Sequence, residues 1–176
     1  YADPAIVAAR AAAIGHADLP LQVISHAGGT HPIFDTALPI IPVQTAGPSE
    51  AGVPNSANAA ATIESITHAV ADVHGGLLSA IVTNPIAKSV LYAAGFRHPG
   101  HTEFLGTLAR ESWPAHATEP VMMLACDGLR VVPLTIHVPL RDVPALITRD
   151  RIERTARTLV LALRSDFGID RPRIAV

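Results

Sequence analysis

Leu77-Leu78-Ser79-Ala80-Ile81-Val82-Thr83, then Asn84-Pro85, then Ile86 to Ala94 with Gly95 behind it, reads as strand, tight turn and helix. The first seven residues form a short, nearly continuous apolar run, as a parallel strand buried on both faces requires. Asn84-Pro85 breaks the run, and Gly95 is a helix stop. One such βα unit predicts an α/β fold. Ligands of open α/β folds gather beyond the carboxyl ends of the strands, which places Thr83, Asn84 and Lys88 beside a cleft. Lys88 is the only lysine in the chain. It reads either as a partner for a phosphate or carboxylate or as a solvated helix lysine.

Downstream, Pro99-Gly100-His101-Thr102-Glu103-Phe104 runs from a loop into a helix predicted from Thr102 to about Ser112. Free N–H groups and the helix dipole make such a junction attractive to anions. His101 and Thr102 are therefore candidates for holding a negatively charged ligand. The same pattern also fits a Thr N-cap beside a surface histidine. Upstream, Ser56 is expected to cap a helix running to about His74, with Ile63, Ile66, Val70 and Val73 on one face and Gly75-Gly76 as its stop. Further helices are expected at about Pro4 to Gly15 and from a cap at Thr148 to about Phe167, with Ile152, Ala156, Leu159, Val160 and Leu163 on one face and Gly168 behind. Short strands are expected at Leu21 to Ile24 and at about Leu38 to Val43.

Val121 to Ala125 and Leu129 to His137 flank Asp127-Gly128, a hairpin signal in which Pro133 removes one ladder donor. His137 ends the second of these runs. It reads either as a metal ligand or as a half-buried, hydrogen-bonded histidine. No second ligand stands at close spacing, so any companions lie far away in sequence or on another chain. Arg141 and Asp142 serve a site or pair with each other. His16, His26, His31, His68, His74, His98 and His116 read as surface or loop residues.

Composition narrows the classes. Of 176 residues, 49% are hydrophobic and 16% charged, and mean hydropathy is +0.33, yet no apolar run is long enough to span a bilayer. Net charge is −2 without a basic patch, so a nucleic-acid partner is not expected. With Cys126 as the only cysteine, disulfide frameworks and cysteine-based zinc sites are excluded. No signal peptide is visible, and a cytoplasmic location is the default expectation. The chain carries no GxGxxG after a strand, no P-loop and no GxSxG elbow. Both ends read as cut, with Arg173-Ile174-Ala175-Val176 as the start of a strand.

Val82-Thr83-Asn84-Pro85-Ile86-Ala87-Lys88, Ala94-Gly95-Phe96, Pro99 to Phe104, Met122-Met123-Leu124-Ala125, Leu129-Arg130-Val131 and Thr135 to Asp142 together resemble the 4-hydroxythreonine-4-phosphate dehydrogenase family of vitamin B6 biosynthesis. Order and spacing agree over roughly Leu77 to Val176 and more loosely before that. The resemblance implies a fold like the isocitrate and isopropylmalate dehydrogenases, with a cleft between two α/β domains. Here both would be incomplete, residues 1–98 belonging to the first and 99–176 to the second, dimer-forming one. It also implies an NAD- or NADP-dependent oxidation of a small phosphorylated hydroxy acid by a homodimer, followed by loss of CO₂.

By motif match, His101 and Thr102 contact the phosphorylated substrate, with Lys88 and Asn84 as further candidates. His137 is one of three histidine ligands to a divalent ion (zinc, magnesium or cobalt) shared with the dimer partner. That ion would polarise the substrate hydroxyl. Several family features are absent: the glycine-rich N-terminal segment, the other two metal histidines and most nucleotide contacts. Ala87 and Pro133 also stand where other residues are usual. These 176 residues alone are therefore expected to be inactive. Alternatives are a sister dehydrogenase acting on a phosphorylated four-carbon sugar acid or a cis-dihydrodiol carboxylate, and a non-catalytic binding or dimerisation module.

Overall fold

The computed structural model describes residues 1–114 and 119–176. His116 lies outside the described residues. The chain divides into two compact units, Tyr1–Ala117 and Thr118–Val176.

In the first unit, Asp3 caps helix α1 (Pro4–Ala13) by accepting from the Ala5 N–H, and Pro4 stands where a missing N–H costs nothing. Strands β1 (Leu21–Val23) and β2 (Leu38–Ile40) pair in parallel, Leu21 opposite Leu38 and Val23 opposite Ile40. A parallel pair joined by a crossover identifies the α/β class. The expected segments at 21–24 and 38–43 are present but shorter; past Ile40, Pro42 makes an isolated parallel bridge to Ala2.

Helix α2 (Ala59–His74) buries Ala59, Ile66, Ala69 and Val70 and leaves Ile63 and Val73 half-buried. The predicted face is the one that packs. Its beginning differs from expectation. Ser56 starts a 3-10 turn capped by the Asn55 side chain, and α2 begins after Asn58. The Asn58 carboxamide is engaged by the Gly47 N–H at 2.9 Å, so it ties down the preceding loop instead of capping the helix.

The expected central strand at Leu77 to Thr83 is not formed. A strand exists only as part of a ladder, and among the described residues neither ladder includes residues 77–83. Leu77 and Leu78 instead donate to the Asp72 carbonyl and finish α2, and Val82 is 99% exposed. Helix α3 (Lys88–Ala93) starts later than Ile86. Helix α4 (His101–Ser112) packs on α2, burying Phe104 and Gly106.

In the second unit, β3 (Leu124–Cys126) and β4 (Leu129–Val131) form the antiparallel hairpin expected at Asp127-Gly128, with Gly128 at φ +78° as the turn requires. Both strands are shorter than expected. The ladder ends at Val131, and Pro133, with no N–H to give, follows in irregular chain. After the short α5 (Val143–Leu146), Thr148 caps α6 (Arg149–Ser165) by accepting from the Arg151 N–H. Leu163 is buried, and Ile152, Ala156, Leu159 and Val160 are half-buried. Gly168 turns the chain at φ +64°. Arg130 stacks over the Phe167 ring, 5.2 Å from its centroid.

Candidate functional site

The first candidate site is built by α3, the loop after it and the start of α4. Leu91, only 2% exposed, anchors α3 in the core. The helix ends where Gly95 adopts φ +88° and the Phe96 N–H turns back onto the Leu91 carbonyl. Three rings then hold the loop. Phe96 meets Phe104 edge-on at 5.2 Å, and His98 lies 5.0 Å from each of them. The Tyr92 hydroxyl donates to the Pro99 carbonyl at 2.7 Å. An aromatic cluster with a hydrogen-bonded rim is a stiff support, so the chain enters α4 in a defined position.

That entry differs from expectation in one respect. Gly100 is the N-cap, and the helix starts at His101 with no side-chain cap. Thr102 is therefore inside the first turn and does not cap it. The first intrahelical bond runs from Phe104 N–H to the Gly100 carbonyl. The N–H groups of His101, Thr102 and Glu103 consequently have no intrahelical acceptor. Nε2 of His101 is buried and has no hydrogen-bond partner. Thr102 and Glu103 are exposed. A buried ring nitrogen without a partner is costly.

Gly100 is buried beneath two charged side chains. A Cβ placed on it would lie 2.7 Å from Glu103 Oε2 and 3.2 Å from Lys88 Nζ. The structure thus brings Lys88, Gly100, His101, Thr102 and Glu103 together. Glu103 was not among the sequence candidates; its position in the first turn of a helix was the available signal. Asn84 is exposed in the irregular stretch before α3. A separate cleft lies beyond the carboxyl ends of β1 and β2, lined by Ser25, His26, Gly29 and Ile41 among others.

His137 belongs to the second unit. It does not end a strand, because β4 stops at Val131. It is exposed and holds φ 55°, the one positive φ among described non-glycine residues. Arg141 and Asp142 pair with each other at 3.7 Å. Among the described residues no three His, Cys, Asp or Glu side chains come together as a metal cage. The described residues therefore do not form a metal site by themselves.

Comparison with known proteins agrees with the resemblance. The family described as pyridoxal phosphate biosynthetic protein PdxA matches residues 1–176. The chain is 52% identical over 143 residues to a 4-hydroxythreonine-4-phosphate dehydrogenase of Bradyrhizobium diazoefficiens, covering 81% of this chain and 41% of that protein. It is 51% identical over 146 residues to one of Methylorubrum extorquens, covering 82% and 42%. Among solved structures, a 4-hydroxythreonine-4-phosphate dehydrogenase from Klebsiella pneumoniae superposes with a TM-score of 0.80 at 26% identity, over 98% of this chain and 51% of that one. One from Burkholderia phymatum superposes with a TM-score of 0.77 at 27% identity. The chain spans less than half the length of these curated relatives and about half of the structural ones. With the match running from its first residue to its last, the chain belongs to the PdxA family of pyridoxal phosphate biosynthetic proteins.

Proposed function

We propose that this chain is the phosphate-holding part of an NAD- or NADP-dependent dehydrogenase that oxidises and decarboxylates 4-phosphooxy-L-threonine in vitamin B6 biosynthesis. The observation that carries the reading is the buried, partnerless Nε2 of His101, on the first residue of a helix whose first three N–H groups have no intrahelical acceptor. These groups suit an anion. His101 donates from its ring, Thr102 offers its hydroxyl and backbone N–H, and the Lys88 ammonium supplies charge. Asn84 is a further candidate contact. Fixing the phosphate this way leaves the hydroxyl-bearing carbon in a set place, so binding energy from a non-reacting group orients the reacting one. The nicotinamide, when bound, supplies the hydride acceptor.

We further propose an isocitrate dehydrogenase-like arrangement of two α/β domains in a cytoplasmic homodimer; the division read near residues 98 and 99 falls within the first compact unit, Tyr1–Ala117. In that assembly His137 is the ligand this chain would give to a divalent ion (zinc, magnesium or cobalt) shared with the partner. Its strained backbone accords with a functional position.

The test uses a chain of the relatives' full length, assayed with 4-phosphooxy-L-threonine and NAD or NADP. His101→Asn is expected to raise KM for the phosphorylated substrate at least tenfold. Higher kcat/KM on a phosphorylated four-carbon sugar acid or a cis-dihydrodiol carboxylate would reassign the substrate. No turnover of any of the three would leave a binding module.

A further inference from the structure

We infer that Tyr92 is a positioning residue for the phosphate site, the tie that holds Lys88 over the loop leading to His101. The inference rests on the phosphate-holding reading of Lys88, His101 and Thr102. Those groups come from two helices, so their spacing depends on what joins α3 to the start of α4. Helix α3 has only six residues, too few to hold an orientation by itself. Leu91, 2% exposed, fixes one point of it in the core. One anchor leaves a short helix free to rock, and the hydroxyl of the next residue supplies a second. Tyr92 donates to the Pro99 carbonyl at 2.7 Å, just ahead of Gly100 and His101.

Lys88 and Tyr92 are four residues apart in α3, so they lie on the same face. Both side chains reach the same short stretch of loop. Tyr92 ends on Pro99, and Lys88 Nζ stands 3.2 Å from the position that a Cβ on Gly100 would take. The Tyr92 ring also lies 6.4 Å from that of Phe96, which packs edge-on against Phe104 of α4. The bonded Tyr92 thus fixes one end of this face of α3 against the loop. Lys88, at the other end, keeps its place over Gly100, the residue before His101. Tyr92 need not touch the phosphate to do this; it acts through Lys88.

The experiment is a double-mutant cycle in a chain of the relatives' full length, assayed with 4-phosphooxy-L-threonine and NAD or NADP. Tyr92→Phe keeps the ring and removes the hydroxyl. It should raise KM for the phosphorylated substrate about two- to tenfold, the scale of one hydrogen bond. It should leave kcat within about twofold, because no reacting atom loses a contact. Lys88→Met should raise KM as well, and adding Tyr92→Phe to it should cost nothing more, because the residue being positioned is gone. Circular dichroism verifies that each variant is folded. The positioning role is overturned, and the site stands, if Tyr92→Phe raises KM by the same factor with and without Lys88. The same holds if Tyr92→Phe lowers kcat instead, or leaves KM unchanged while Lys88→Met raises it. If the substrate is not turned over, or neither Lys88→Met nor His101→Asn raises KM, the phosphate-holding reading falls and the positioning role with it.

Discussion

The Tyr92 hydroxyl reaches across the loop and donates to the Pro99 carbonyl at 2.7 Å, so the last turn of α3 holds the residue that precedes the N-cap of α4. The bond is solvent-exposed and single, which sets its size. Tyr92→Phe should cost about 0.5–1.5 kcal/mol of unfolding free energy in urea, the usual net value of one hydrogen bond. Loss of several kcal/mol would mean that Tyr92 does more than tie the loop.

Phe104 supports the same loop from below. It is 7% exposed and touches both Phe96 and His98. Phe104→Ala should destabilise the first unit by about 3–5 kcal/mol, the range for emptying an aromatic site in a core. Chemical denaturation measures it, and a cost below about 1 kcal/mol would show that the cluster does not brace α4.

Gly100→Ala separates conformational need from space. The φ of −169° is extended backbone open to any residue, and the atoms a Cβ meets are the far ends of Glu103 and Lys88. The variant should fold with a midpoint close to the parent. A large drop in thermal midpoint would contradict this account.

His137 offers the opposite case, a backbone that prefers glycine. Its φ of 55° lies in the left-handed region, which costs an L residue about 1–2 kcal/mol. A glycine there recovers the strain but adds freedom to the unfolded chain. His137→Gly should therefore stay within about 1 kcal/mol of the parent or exceed it, while His137→Val, β-branched and strained, should lose about 2 kcal/mol. In a chain of full length, His137→Gly should also lose bound divalent metal, read by elemental analysis. Retained metal would remove His137 from the proposed ligand set.

Asp3 gives the pH dependence. Hydrogen bonds from the Thr45 hydroxyl and N–H hold its carboxyl below the ordinary value of 3.8. A depressed folded-state pKa contributes stability that is complete above the unfolded value and lost as pH falls through the folded one. The gap in thermal midpoint between the parent and Asp3→Asn should be widest at neutral pH and close in strong acid. A gap that widened on acidification would refute the assignment.

Where a residue's neighbours are close in sequence, the structure follows the expectation. The three-four spacing of Ile63, Ile66, Val70 and Val73 locates the packed side of α2. Thr148 caps α6 as its position suggests, and Asp127-Gly128 turns the hairpin. Local chemistry decides each of these. Leu77 to Thr83 fails the same reading because an apolar run becomes a strand only when a ladder accepts it, and a partner strand is a non-local fact. The end of β4 at Val131 instead of His137 has the same origin. In the candidate site, the loop-to-helix junction at His101 and Thr102 was legible in the sequence. The approach of both Lys88 and Glu103 to Gly100 was not, because α3 and the loop after it must fold before those side chains converge.

The bridge between Ala2 and Pro42 has a consequence for synthesis. The Ala2 N–H pairs with the Ile41 carbonyl and the Val43 N–H with the Ala2 carbonyl, while Asp3 holds Thr45. As the chain leaves the ribosome, α1 can coil locally, but its contacts with residues 41–45 form only after those residues have emerged. The ladder of β1 waits equally for β2. The Ala2 and Asp3 pairings link residues about 40 apart in sequence, so their loop-closure cost is met only once both segments are present.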